Sequence, residues 1–112
     1  KYLLAGEDFA FAPILSVGGK GIISASANVI PKEFVQMYNM VKAGDYKGAF
    51  QQQIKINDMV DAVFCETNPA PAKHALKTLL GLNSKLRLPL IEITQESKEK
   101  VEQALKNLGY KE

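Results

Sequence analysis

The sequence predicts an α/β chain in which two short strands are followed by several helices. Two continuous apolar runs, residues 2–5 and 21–25, lack the alternation of a half-exposed strand and indicate strands covered on both faces. A mostly apolar segment between them, residues 9–17, supplies the crossover that two parallel strands require. From Pro31 onward the apolar residues recur at helical spacing. The expected order is therefore strand, crossover, strand and then helices.

The composition excludes several classes of protein. The chain has 112 residues, enough for one modest domain, and its 14 basic and 12 acidic residues give a net charge of +2. So small a charge, spread along the chain, does not predict nucleic-acid binding. No apolar run reaches the roughly 18 residues of a membrane span. The single cysteine, Cys65, excludes an internal disulfide and fits a reducing compartment, so we expect a cytoplasmic protein without nucleic-acid or membrane partners.

The first strand ends at Gly6, and two carboxylates follow it. Asp8 is predicted to cap the segment 9–17, which the glycines of residues 18–21 then close. Those glycines could also form a phosphate-binding loop. That signature, however, needs Gly-Lys-Ser/Thr after a strand, and here the glycines precede one. A helix stop followed by a tight turn into the second strand is the preferred interpretation.

Four further helices are predicted from apolar spacing and from end signals. Their expected bounds are 31–44, 45–64, 71–80 and 95–108. Asp45 and Thr94 are expected to be N-caps, and residues 86–93 are expected to form an extended connector. The expected buried side of the second of these helices consists of Ile54, Ile56, Met59, Val60 and Val63.

Single side chains specify no reaction. His74 is the only histidine, and Cys65 lies nine positions from it without the spacing of metal ligands, so no metal site is predicted. Glu7 and Asp8 follow a strand, where they could be a solvated charge and a cap. At the carboxyl end of a parallel sheet they would instead lie where active sites gather. The residues alone leave both interpretations open.

Five blocks form an ordered series. They are LLAGED (3–8), GGKGIISASAN (18–28), PKE (31–33), ETNPAPAK (66–73) and RLPL (87–90). Together they resemble the C-terminal part of the dihydrodipicolinate synthase family, over essentially the whole chain. This family belongs to the pyruvate-dependent Schiff-base aldolases, which also include N-acetylneuraminate lyase. The last two blocks are the most specific and favour the synthase branch.

The resemblance implies a TIM barrel followed by a helical C-terminal domain. Residues 3–5 would match the seventh strand of the barrel, and residues 21–25 would match the eighth. Residues 1–44 would then form the end of the barrel, with its last two strands and their helices. Residues 45–112 would form the helical domain.

The resemblance also implies a lyase of lysine and diaminopimelate biosynthesis, which condenses pyruvate with L-aspartate semialdehyde. Carried over by position, the backbone carbonyl of Ile23 would contact the pyruvate-derived carboxylate region. Gly6, which has no Cβ, would let the substrate approach the main chain. Weaker candidates for the rim of the site are Glu7, Asp8, Asn28 and Asn68.

The catalytic residues of the family, a Schiff-base lysine and a tyrosine, match no position here and are expected upstream of Lys1. We therefore expect the isolated chain to be inactive, with no cofactor beyond the imine between pyruvate and that lysine. The expected partners are the rest of the barrel subunit and, in a homotetramer, further copies. Two alternatives stay open: a non-catalytic binding or assembly domain, or a related aldolase acting on N-acetylneuraminate or a 2-keto-3-deoxy sugar acid.

Overall fold

The computed structural model describes residues 1–111, which contain two strands and five α-helices. Their bounds are β1 Leu4–Ala5, α1 Phe11–Ser16, β2 Gly21–Ile22, α2 Pro31–Lys42, α3 Tyr46–Val63, α4 Ala70–Leu80 and α5 Gln95–Asn107. A 3-10 turn follows each strand, at Asp8–Ala10 and at Ser26–Asn28. The predicted order of elements is confirmed, although both strands are shorter than predicted.

The two strands pair in parallel, as the crossover predicts. The paired residues are Leu4 with Gly21 and Ala5 with Ile22. The backbone N–H of Ile23 extends the ladder by donating to the carbonyl of Ala5 at 2.9 Å. Beyond this point the second strand was predicted to continue to residue 25. It ends earlier because the chain turns into the 3-10 segment at Ser26–Asn28.

The strand segments carry apolar side chains that the described residues do not cover. Leu3 is 52% exposed, Leu4 is 48% exposed and Ile23 is 74% exposed. The sequence predicts strands covered on both faces. Within residues 1–111 that expectation is wrong for these three side chains.

The glycine-rich turn after α1 depends on a close approach between backbones. Gly18 has a φ of +99°, the left-handed region that favours glycine. The N–H of Gly19 donates to the carbonyl of Ile14 at 2.8 Å. A Cβ on Gly19 would lie 2.6 Å from that carbonyl oxygen, so a larger residue cannot fit without displacing the turn. The predicted helix stop is confirmed.

The chain divides into two compact units, Lys1–Asn57 and the residues from Asp58 onward. Apolar residues buried in the first unit include Phe11, Ala12, Leu15, Ile30, Phe34, Met37 and Ile56. Those buried in the second unit include Met59, Val60, Val63, Val101 and Leu105. The boundary between the units falls inside α3. The predicted domain boundary between residues 44 and 45 stays a prediction.

The predicted buried face of α3 is wrong at one position. Ile54 is 71% exposed, whereas Ile56 and Met59 are fully buried. At about 100° per residue, Ile54 lies on the same side of the helix as Asp58 and Asp61, which are both exposed. The predicted buried face therefore includes one apolar residue, Ile54, that lies on the polar face of the helix.

Both predicted N-caps are confirmed. The Asp45 carboxylate accepts a hydrogen bond from the N–H of Gly48 at 2.9 Å. The Thr94 hydroxyl oxygen accepts one from the N–H of Ser97 at 3.2 Å. Each bond satisfies one of the free donors in the first turn of its helix. Over residues 1–111, every helix is too short or too polar to cross a lipid bilayer.

Candidate functional site

The carboxyl ends of β1 and β2 bring together the two main candidate residues. In the parallel register, Gly6 and Ile23 are the positions that follow the last paired residues, Ala5 and Ile22. Gly6 is exposed, and apart from its two chain neighbours no described residue has an atom within 4 Å of the place where a Cβ would be. The backbone of two adjacent strand ends is therefore open at this edge, where parallel sheets bind their ligands.

Asp8 has a different position from the one predicted. It is only 2% exposed, and its carboxylate accepts a hydrogen bond from the backbone N–H of Ser26 at 2.9 Å. The expectation that Asp8 caps the following helix is wrong, because it lies inside a 3-10 turn and its oxygen is directed to the other strand-end segment. Asp8 therefore links the segments that follow β1 and β2.

The neighbouring candidates Glu7 and Asn28 are exposed. The carbonyl of Glu7 accepts a hydrogen bond from Ala10 at 3.1 Å and starts the 3-10 turn. The side-chain amide of Asn28 donates to the carbonyls of Ser24 at 3.3 Å and Ala25 at 3.1 Å. Asn28 thus closes its own loop through its amide nitrogen, while the side chain of Glu7 extends into solvent.

Asn68 lies in the second unit, in the turn that precedes α4. It is exposed, and a cis peptide bond joins it to Pro69. The turn leads into α4 at Ala70, where the N–H of Ala70 donates to the carbonyl of Thr67 at 3.1 Å. These contacts give Asn68 a place in a tight turn, as its sequence context predicts.

One polar residue at the strand ends is not among the residues that the sequence predicts for the site. Gln53 on α3 is 5% exposed. Its Nε2 donates to the carbonyl of Asp8 at 3.1 Å and to Asn57 Oδ1 at 3.0 Å, and its Oε1 accepts from the N–H of Ala12 at 3.0 Å. The available signal was its spacing, since Gln53 precedes the buried Ile56 by three positions and therefore lies on the buried face of α3.

Lys20 and Lys73 both lack the surroundings of a Schiff-base nucleophile. Lys20 is exposed and precedes β2, at the opposite end of the strand. Lys73 lies on α4, where its Nζ donates to the carbonyl of Lys85 at 2.7 Å. An exposed or hydrogen-bonded amino group is not the desolvated amine that imine formation requires.

Several titratable side chains of the second unit form pairs. His74 Nε2 lies 3.1 Å from Glu102 Oε1, an ion pair when the histidine is protonated. Lys98 holds Glu92 at 2.8 Å and lowers the pKa of that carboxyl, first by hydrogen bonding and then by charge. Across residues 1–111, no three His, Cys, Asp or Glu side chains come close enough to hold a metal ion.

Glu66, in the ETNPAPAK block, is tied to the start of α5. Its Oε1 lies 2.9 Å from both the N–H and the hydroxyl of Thr94. Hydrogen bonds from the Ser97 hydroxyl and from the Thr94 backbone and hydroxyl lower the pKa of Glu66, because they favour its charged form. A carboxylate at this place is also favoured by the N-terminal dipole of α5.

We expect Glu66→Gln to lower the stability of the protein at neutral pH and to have a smaller effect in acid. Because the folded state lowers the pKa of Glu66, the carboxylate stabilises the fold above the ordinary Glu pKa of about 4.3. This contribution is lost as the pH falls through the lowered value. Urea denaturation at pH 7 and near pH 3 measures both differences. A difference that persists undiminished in acid would contradict this assignment.

Comparison with known sequences gives the family of the chain. Residues 1–108 match the model of the dihydrodipicolinate synthetase family. The 4-hydroxy-tetrahydrodipicolinate synthase of Methanocaldococcus jannaschii is 44% identical over 107 residues, which cover 96% of this chain. The chain spans only 37% of the length of that enzyme.

Solved structures of dihydrodipicolinate synthases have the same fold over this part of their chains. The dihydrodipicolinate synthase of Thermotoga maritima superposes with a TM-score of 0.94 at 31% identity, over 98% of this chain and 37% of its own. The Acinetobacter baumannii enzyme, solved in complex with pyruvate, gives a TM-score of 0.91 at 30% identity, over 98% of this chain and 38% of its own. The chain belongs to the dihydrodipicolinate synthetase family.

Proposed function

We propose that this chain is the C-terminal part of a dihydrodipicolinate synthase subunit. It supplies strands seven and eight of a TIM barrel and the helices that follow them. The complete subunit condenses pyruvate with L-aspartate semialdehyde, through an imine between pyruvate and a lysine. The names of the relatives and the pyruvate in the Acinetobacter structure support these substrates.

The observation that carries the proposal is the exposed apolar surface of the strand pair. Burying the exposed side chains of Leu4 and Ile23 would stabilise the fold, since burial of apolar area contributes roughly 25 cal/mol per Å². A parallel sheet of two strands is also smaller than the sheets that are stable alone. Further strands from the same subunit, packed against these residues, would remove both costs. The fraction of each relative that the chain spans is consistent with this.

In the proposed subunit this chain binds the keto acid through its main chain. Parallel strands present their carboxyl ends at one edge, so the backbone of Gly6 and Ile23 faces the mouth of the barrel. The carbonyl of Ile23 lies beside the carboxylate region of the bound pyruvate. Gly6, without a side chain, leaves room for it. Glu7, Asn28 and Asn68 remain weaker candidates for the rim.

The covalent step is assigned to residues outside this chain. The amine of a lysine on the sixth strand attacks C2 of pyruvate, and water leaves as the imine forms. A tyrosine of the fifth strand relays protons. The imine is the only covalent link in the proposal, which needs no resident cofactor.

The proposal extends to assembly. The resemblance implies a cytoplasmic homotetramer, in which the rest of the barrel and further copies of the subunit are the partners of this chain. Light scattering of the complete subunit measures its mass in solution. A mass of four subunits is expected.

The test of the proposed function is borohydride trapping. The complete subunit that carries this chain, incubated with pyruvate and borohydride, is expected to gain the mass of one reduced pyruvate on a single lysine. The chain of residues 1–112, treated in parallel, is expected to gain none. Labelling of Lys20 or Lys73 in the short chain would overturn the assignment of the covalent step.

The purified chain of residues 1–112 also distinguishes the proposed function from that of an independent binding or assembly domain. A stable monomer of about 12.3 kDa with a cooperative melt would favour such a domain. The expected result is different: the exposed strand residues make the short chain associate, because large apolar patches drive association. Gel filtration and a thermal melt of the purified chain measure both.

A further inference from the structure

We propose that Asp8 is a positioning residue for the keto-acid site, and that Gln53 of α3 holds the Asp8 segment in place. This inference rests on the proposed function, because it concerns the same strand ends. Asp8 does not contact the substrate in this assignment. It holds the backbone that does.

The first step is the bond between the two strand-end segments. Asp8 comes two positions after Gly6, and Ser26 comes three positions after Ile23. The Asp8 carboxylate accepts the Ser26 N–H at 2.9 Å, and both residues are buried, at 2% and 0% exposure. A buried hydrogen bond to a carboxylate is stronger than one between neutral groups, and losing it leaves a buried donor unsatisfied.

The second step is that this bond acts together with the ladder. The N–H of Ile23 donates to the carbonyl of Ala5 at 2.9 Å, just before the candidate backbone positions. The Asp8–Ser26 bond closes the same two segments just after them. Gly6 and Ile23 therefore lie between two cross-links, and the direction of the Ile23 carbonyl is fixed on both sides.

The third step is the contact from α3. Gln53 donates to the carbonyl of Asp8 at 3.1 Å and accepts from the N–H of Ala12 at 3.0 Å. Ala12 lies in the first turn of α1, where backbone donors have no partner within the helix. The buried side chain of Gln53 thus supplies a donor for the carbonyl of Asp8 and an acceptor for the N–H of Ala12. It holds the Asp8 segment from the side of the helices.

The consequence is a specific kinetic effect. Contacts to the carboxylate region of pyruvate are present in the ground state and in the transition state alike. Loosening them raises KM with little change in kcat. A residue that only supports folding would instead reduce the active fraction of enzyme and leave KM unchanged.

The experiment uses the complete subunit with the variants Asp8→Ala, Asp8→Asn and Gln53→Ala. We expect the KM for pyruvate to rise about tenfold or more in Asp8→Ala, with kcat per borohydride-titrated site nearly unchanged. Asp8→Asn keeps an oxygen acceptor and is expected to recover most of the loss. Gln53→Ala is expected to raise KM several-fold.

Two control variants have matched chemistry. Asp45→Asn makes the same substitution at a carboxylate that also accepts a backbone N–H, but at an exposed helix cap. Gln52→Ala changes the neighbouring glutamine, whose Nε2 donates to Gln36 Oε1 at 3.2 Å. Both are expected to keep the KM of the wild type.

An unchanged KM in folded Asp8→Ala overturns the inference. If that variant does not fold, Gln53→Ala decides: an unchanged KM there overturns it, and a raised KM supports it. The proposed function fails separately, when the wild-type subunit is not trapped by borohydride with pyruvate.

Discussion

Replacing Ile56 by alanine is expected to lower the free energy of unfolding of the complete subunit by about 3 kcal/mol. Ile56 is completely buried in α3, so the substitution removes buried methyl and methylene groups and leaves a cavity. Small domains have only about 5–15 kcal/mol of stability in total, so the effect is large. Urea denaturation followed by circular dichroism measures it.

The matched control is Ile54→Ala on the same helix. Ile54 is 71% exposed, and alanine is the better helix former, so a change within about 0.5 kcal/mol is expected. Equal losses at the two positions would contradict the orientation of α3. The pair also tests the one position at which the predicted buried face of α3 is wrong.

The helix boundaries were predictable because their signals are local. Thr94 caps α5 through a hydroxyl that lies three residues from its partner, Ser97. Gly18 and Gly19 end α1 because the backbone conformation at these positions tolerates only glycine. That conformation depends on a few residues nearby in the sequence. Such signals involve residues only a few positions apart in the sequence. The parallel strand pair was predictable for a different reason, because two apolar runs joined by a crossover indicate parallel pairing.

The polar contacts of the strand ends were not predictable, because they join distant residues. Asp8 and Ser26 are separated by 18 positions, and Gln53 and Asp8 by 45. A carboxylate before a helical segment has the same pattern whether it caps that segment or reaches another backbone. Only the folded chain distinguishes the two. Spacing alone could have placed Gln53 on the buried face, but not identified its partners.

The exposed strand residues show what one sequence can indicate about a larger fold. Continuous apolar runs predict cover on both faces, and Leu4 and Ile23 lack it within residues 1–111. The mismatch between pattern and exposure supports the proposal that further strands cover these residues in the complete subunit. It is independent of the family match, which rests on sequence similarity.

Introducing a side chain at Gly6 is expected to impair substrate binding without harming the fold. In the complete subunit, Gly6→Val is expected to raise the KM for pyruvate by about tenfold or more, equivalent to roughly 1.4 kcal/mol of lost binding. The reason is steric: in the proposed site the keto acid approaches the main chain where the Cβ would lie. Apart from Gly6 and its two chain neighbours, no atom of the described residues lies within 4 Å of that point, so the free energy of unfolding is expected to change by less than about 1 kcal/mol.

The control is Gly21→Ala on the neighbouring strand. Its Cβ would lie 3.4 Å from Leu4 Cδ2, an ordinary contact, so both KM and stability are expected to stay near the wild-type values. Steady-state kinetics with pyruvate as the varied substrate and urea denaturation give the two quantities for each variant. A Gly6→Val subunit with unchanged KM would remove Gly6 from the site. A subunit that loses stability instead would show that the space beside Gly6 is filled by protein, since a side chain there would then displace neighbouring strands rather than substrate.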